Sequence, residues 1–239
     1  MNSDMLHRFL KDSLDIFYTN LFSLSCQATA IITTLYFLKK EPKAVYFFIY
    51  SCSALCLFLT SEFFLVPTGA QHYTFLTEGA NMIFALIEYI VFYNFFQTVL
   101  ATSGIKKFMR FFYTFLMVSI LLILLSRLIN PLSCIPIRKL SDFIISSELL
   151  ALTSLCLVYY FESFYKKTTS DLKSSPSFWI VTGLFFYSII IAPFFMITDE
   201  IIESNKKFYF IAYSVHYTSF GVLFLAITKA FFMRKPVTT

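Results

Sequence analysis

Four ionisable side chains stand inside long apolar runs of this chain: Glu62, Glu88, Glu148 and His216. A carboxyl or imidazole group in hydrocarbon is costly, and such groups usually face a bundle interior or a water-filled cavity where they serve function. These residue types allow three chemistries: sharing of protons among Glu88, Glu148 and His216, retention of a cation, or pairing with a cationic ligand. Residue types alone do not choose among them. The competing account is that polar side chains hold helices together by interhelical hydrogen bonds, and four groups at similar depth on separate helices tip the balance toward a site.

Helical spacing supplies their neighbours. The face of Glu88 reads Glu78, Asn81, Ala85, Glu88, Phe92 and Phe95. A second face reads Asn20, Ser23, Gln27, Ala30 and Thr34, and a third Tyr209, Tyr213, His216 and Phe220. Each is polar toward one end and apolar toward the other. The expectation is a cavity walled by tyrosine and phenylalanine and floored by carboxyl groups and a histidine. Its candidate ligand-binding residues are Glu62, Glu88, Glu148, His216, Asn20, Tyr213 and Asn81.

The elements that must position these residues follow from hydropathy. The chain of 239 residues is 58% hydrophobic and 14% charged, against roughly 45–50% and 25% in soluble domains. A bilayer crossing needs about 20 mostly apolar residues, and seven runs qualify, at 15–38, 45–65, 80–102, 108–129, 141–165, 178–198 and 208–233. The expected fold is all-α: one polytopic domain over 1–239, a seven-transmembrane-helix bundle that is multi-pass in the cell membrane. Residues 1–14 carry Asp4, Arg8, Lys11 and Asp12 without a small-residue cleavage site, so the first span reads as retained. So little chain lies outside the spans that an output or catalytic module is expected on another polypeptide.

Orientation follows the bias of lysine and arginine toward the cytoplasmic side. The N-terminus and the second, fourth and sixth connections hold seven: Arg8, Lys11, Arg127, Arg138, Lys139, Lys206 and Lys207. The other connections and the tail hold twelve: Lys39, Lys40, Lys43, Lys106, Lys107, Arg110, Lys166, Lys167, Lys173, Lys229, Arg234 and Lys235. This places the N-terminus outside and the C-terminus inside. Glu88 and Glu148 then lie roughly 10 Å below the outer surface, His216 slightly deeper and Glu62 nearer to it. Glu162, at the basic end of the fifth span, is expected to pair with Lys166 at i+4.

Several chemistries are disfavoured. The basic residues form short clusters between apolar runs, not one surface, which argues against nucleic acid. Of the three histidines, His7 and His72 lie outside the spans, so a zinc site of several histidines cannot form in the membrane and hydrolases of the seven-helix ceramidase kind are unsupported. A carboxylate-rich metal site lacks a helical Glu-x-x-His pair to anchor it, which leaves the metal unknown and an enzymatic role disfavoured. Covalent retinal requires a lysine in mid-membrane, whereas Lys229 stands about 30 Å along the seventh span. Five cysteines, with only Cys134 in an outer connection, make no disulfide framework. Carriers favour helices broken by Gly or Pro near the midplane, and here the spans contain Pro193, Gly183 and Gly221.

Two segments are more distinctive. Pro176-Ser177-Phe178-Trp179-Ile180-Val181-Thr182-Gly183, followed by Tyr187, opens the sixth span with a proline, an interfacial tryptophan and a small residue suited to close packing. Together with Leu86-Ile87-Glu88-Tyr89, Tyr93 and Phe96 it resembles uncharacterised bacterial seven-helix membrane proteins often encoded beside sensor histidine kinases. The resemblance implies a sensory or accessory membrane role with a signalling partner such as a histidine kinase, and no ligand or catalytic residue. The expected function is therefore a non-enzymatic, receptor-like sensor with an outward-facing polar and aromatic cavity for a small ligand or ion, acting in signal transduction through a separate partner. The alternatives are a small proton- or cation-coupled transporter and a membrane assembly subunit.

Overall fold

The computed structural model describes residues 3–60, 70–129, 137–166, 172–197 and 206–233, and among them the secondary structure is helical without a strand. Seven helices follow in order: α1 Ser3–Phe37, α2 Ala44–Leu59, α3 Ala70–Val99, α4 Ser103–Ile129, α5 Ile137–Lys166, α6 Pro176–Met196 and α7 Lys206–Phe232. Each contains most of one expected apolar run. Helices suit such runs because hydrocarbon offers no partner for an unpaired backbone N–H or C=O. α1 and α3 begin well before the apolar runs expected from residues 15 and 80, at Ser3 and Ala70. Helix propagation adds one backbone hydrogen bond per residue regardless of hydropathy.

Four segments among the described residues are long and apolar enough to cross a membrane: Thr77–Val99, Ile137–Tyr165, Pro176–Met196 and Ser214–Phe232. Ala44–Leu59 is apolar but shorter, with 16 residues. The outward faces are apolar as well. Phe111, Leu122 and Phe161 are 70%, 60% and 76% exposed, and α4 alone also exposes Phe108, Phe115, Val118 and Leu121. So much contiguous apolar surface is untypical of a protein in water. Together with the four long apolar helices it marks a membrane protein whose outer faces meet lipid.

Six helices form a closed circuit. α1 packs on α2, α2 on α3, α3 on α5, α5 on α6, α6 on α7 and α7 back on α1, while α4 rests outside against α3 and touches α5. Small residues set the closest approaches. A methyl group on Gly183 would stand 2.5 Å from Ala226 Cβ and 3.3 Å from Leu223 Cα, and one on Gly221 would stand 2.7 Å from Phe22 Cε1. The α6–α7 and α1–α7 contacts thus depend on bare backbone, as membrane helix pairs commonly do. α6 starts with Pro176 in its first turn, after an extended Ser175, where the missing N–H would be unpaired in any case.

The first connection is tight, with Lys40 and Glu41 N–H groups donating to the Phe37 carbonyl at 3.0 and 2.8 Å. Between α3 and α4 the chain turns in three residues. There Glu162 of α5 accepts from the N–H groups of Ala101 at 2.9 Å and Thr102 at 3.2 Å, and from the Thr102 hydroxyl. The carboxyl expected to pair with Lys166 therefore clamps a neighbouring turn, because tertiary packing brings backbone donors to it. The Lys166 side chain lies outside the described residues. Nearby, Trp179 Nε1–H donates to the Lys173 carbonyl at 2.9 Å, and Lys229 Nζ sits 3.3 Å from the centre of the Trp179 ring.

Candidate functional site

The helix-face expectation for α1 holds residue by residue: Asn20, Ser23, Gln27, Ala30 and Thr34 are all buried. On α3, Ala85, Glu88, Phe92 and Phe95 are buried in the same way. Polar groups on these faces therefore meet other helices, not lipid.

They meet at a cavity of about 110 Å³. α1 contributes Gln27, α2 Ala54, Leu57 and Phe58, α3 Asn81, Phe84, Ala85 and Glu88, and α5 Ile145. α6 adds Tyr187 and Phe195, and α7 adds His216, Tyr217 and Phe220. All six helices of the circuit take part, and α4 does not. The lining comes from the second halves of α2 and α6 and the first half of α5. The cavity thus belongs to the end of the bundle where α2 and α6 finish and α5 begins.

Glu88 is the anchored carboxyl. The hydroxyl of Tyr50, itself fully buried, donates to Glu88 Oε1 at 2.6 Å, joining α2 to α3. Tyr50 is held between Phe84 and Phe224, its ring stacked at 5.6 and 5.5 Å. Glu148 has no such anchor: it is buried, and neither of its oxygens has a hydrogen-bond partner among the described residues. It stands behind the lining, near enough to Glu88 to interact electrostatically. Tyr187 is within electrostatic range of both.

His216 faces aromatic rings, with Tyr217, Phe195 and Phe220 at 5.2, 5.8 and 6.1 Å and Tyr187 at 6.3 Å. Its Nδ1 is buried without a partner. Gln27 donates its amide to Ser23 Oγ at 3.2 Å, which leaves its Oε1 without one. Phe220 is the hub of the wall, its ring 5.3 Å from Tyr187, 6.1 Å from Phe84 and 4.8 Å from Phe224.

Of the expected site residues, Glu88, His216 and Asn81 line the cavity together. Glu148 lies just behind it, and Asn20 is buried farther along the polar face of α1 with its Oδ1 unpartnered. Glu62 and the Tyr213 side chain lie outside the described residues. Sequence reasoning missed Tyr50, Tyr187 and Gln27 as members. Gln27 carried a usable signal, since it is two helical turns from Asn20 on one face. Tyr187 stands out in the sequence only as part of the motif that opens the sixth span, and Tyr50 carries no signal among fifteen tyrosines. Among the described residues no group of three or more His, Cys, Asp and Glu side chains is arranged to hold a metal ion.

Comparison with protein-family models, curated proteins and solved structures finds no match to the chain.

Proposed function

We propose that the protein is a seven-span sensor of the cell membrane, with its N-terminus outside, whose cavity binds a small ligand or ion and whose basic inner end meets a separate signalling partner. The observation that carries this reading is the cavity itself: six helices converge on it, and it mixes a carboxyl, two amides and an imidazole with aromatic rings. A few converging polar groups in an otherwise apolar pocket is the usual make-up of a ligand site. The seven apolar runs and the seven-to-twelve split of basic residues support the topology. The resemblance to proteins encoded beside histidine kinases supports such a kinase as the partner.

A ligand shifts a bundle only by binding two arrangements with different affinity. Pro193 supports α6 as the moving part. It removes one backbone hydrogen bond inside the helix, two residues before the cavity residue Phe195.

Cysteine accessibility tests the reading. Asn81→Cys in a background free of native cysteines is expected to react with a membrane-impermeant thiol reagent applied to intact cells. Reaction only in inverted vesicles would overturn the outward-facing cavity. A second reading, a proton- or cation-coupled carrier, draws on the proximity of Glu88 and Glu148. In liposomes a carrier moves its substrate down a gradient without any partner, and a sensor does not.

A further inference from the structure

The cavity is lopsided in charge: Glu88 is the one carboxyl of its lining, beside the polar side chains of Gln27, Asn81, Tyr187, His216 and Tyr217. Gln27, 1% exposed, has spent an amide N–H on Ser23, and its Oε1 is an acceptor without a partner. Glu88 brings a carboxyl to the lining and already accepts from Tyr50. Behind it the two oxygens of Glu148 have no partner among the described residues. No lysine or arginine lines the space. Six aromatic rings do: those of Phe58, Phe84, Tyr187, Phe195, Tyr217 and Phe220.

This combination discriminates among ligand classes. An anion would meet the Glu88 carboxyl with no lysine or arginine in the lining to receive its charge. A metal ion requires several hard ligands at once, and no such cluster exists among the described residues. A purely apolar guest would leave the Gln27 oxygen buried without a donor. An alkylated ammonium suits both parts of the lining: its charge answers the carboxyls, and its N-methyl or N-methylene groups pack on the rings.

We propose that the cavity is a site for a small organic ammonium cation, with Glu88 and Glu148 as countercharge and the rings of Tyr187, Tyr217 and Phe220 as its wall. The proposal rests on the reading of this cavity as a sensor's ligand site and deepens it. The volume of about 110 Å³ admits a small ammonium head. A free solute and the headgroup of a choline lipid share this chemistry.

Binding of labelled choline to the purified full chain in phosphatidylglycerol nanodiscs, which present no ammonium group, tests it. Saturable binding is expected, displaced by tetramethylammonium and not by 3,3-dimethylbutan-1-ol, the uncharged isostere. Glu88→Gln and Tyr187→Leu should each weaken binding about tenfold or more, and Tyr187→Phe should retain it. Suppression of choline binding by phosphatidylcholine in the disc identifies a lipid headgroup as the occupant, and unchanged binding identifies a free solute; either outcome supports the ammonium site. Displacement by the isostere as strong as by tetramethylammonium overturns the proposal and leaves the outward-facing cavity standing. Absence of saturable binding of both choline and tetramethylammonium also overturns it, while the accessibility of Asn81→Cys decides the sensor reading separately. The competition series needs only the unmutated protein, so a variant that fails to fold does not protect the proposal.

Discussion

The Tyr50 hydroxyl donates to Glu88 Oε1 at 2.6 Å, so a carboxyl of α3 is held by a tyrosine of α2 at the edge of a cavity shared by six helices. The bond is buried on both sides, with Tyr50 at 0% and Glu88 at 2% exposure. It both orients the carboxyl and fastens α2 to α3.

Removing either partner should therefore cost stability, and the two losses should not add. In a thermodynamic cycle of Tyr50→Phe, Glu88→Gln and the double variant, the coupling is expected between about 0.6 kcal/mol, the mean of such cycles for interhelical hydrogen bonds in membranes, and about 1.7 kcal/mol, their maximum. Unfolding in mixed micelles measures it. A coupling near zero would show that the bond does not fasten the helices.

Glu148 should behave in the opposite sense. Its oxygens have no partner among the described residues, so Glu148→Leu replaces an expensive buried group with an apolar one. We expect the ligand-free protein to gain about 0.5–2 kcal/mol while probe binding is lost. Thermal melting alongside choline titration reads both, and destabilisation by Glu148→Leu would assign the residue a structural part.

The contact of Gly183 with α7 predicts a rescue experiment. Gly183→Ala places a methyl 2.5 Å from Ala226 Cβ and should cost about 1–3 kcal/mol through overpacking. Adding Ala226→Gly should recover much of that loss. Gly221→Ala should be milder, because the nearest atom is the edge of the Phe22 ring, which can rotate aside.

Trp179 is the sole tryptophan, so its fluorescence reports the α6–α7 contact without interference. Lys229→Gln removes the cation 3.3 Å from its ring centre. Emission should change, and stability should fall by about 0.5–1 kcal/mol. Denaturant unfolding followed by tryptophan emission measures both.

At the same end, Glu162 binds the turn before α4 through the Ala101 and Thr102 N–H groups. Glu162→Ala should speed hydrogen exchange at those two amides, leaving the α3 interior protected. Mass spectrometry of the exchanged protein resolves that segment.

The helices, and the buried faces of α1 and of α3 from Ala85 onward, could be read from residue order alone. Sequence by itself determined the apolar runs, because every backbone group in hydrocarbon must pair within its own helix. It also placed Asn20 with Gln27 and Ala85 with Glu88, because the turn of 3.6 residues is a local property of the chain. Only the tertiary structure decided that Tyr50 meets Glu88, that Glu148 stands behind the cavity, that Glu162 clamps a turn and that α4 stays outside the circuit. Those outcomes depend on how each helix is rotated and which neighbour it approaches. Contacts such as those at Gly183 and Gly221 set that geometry between distant residues, and no local periodicity encodes it.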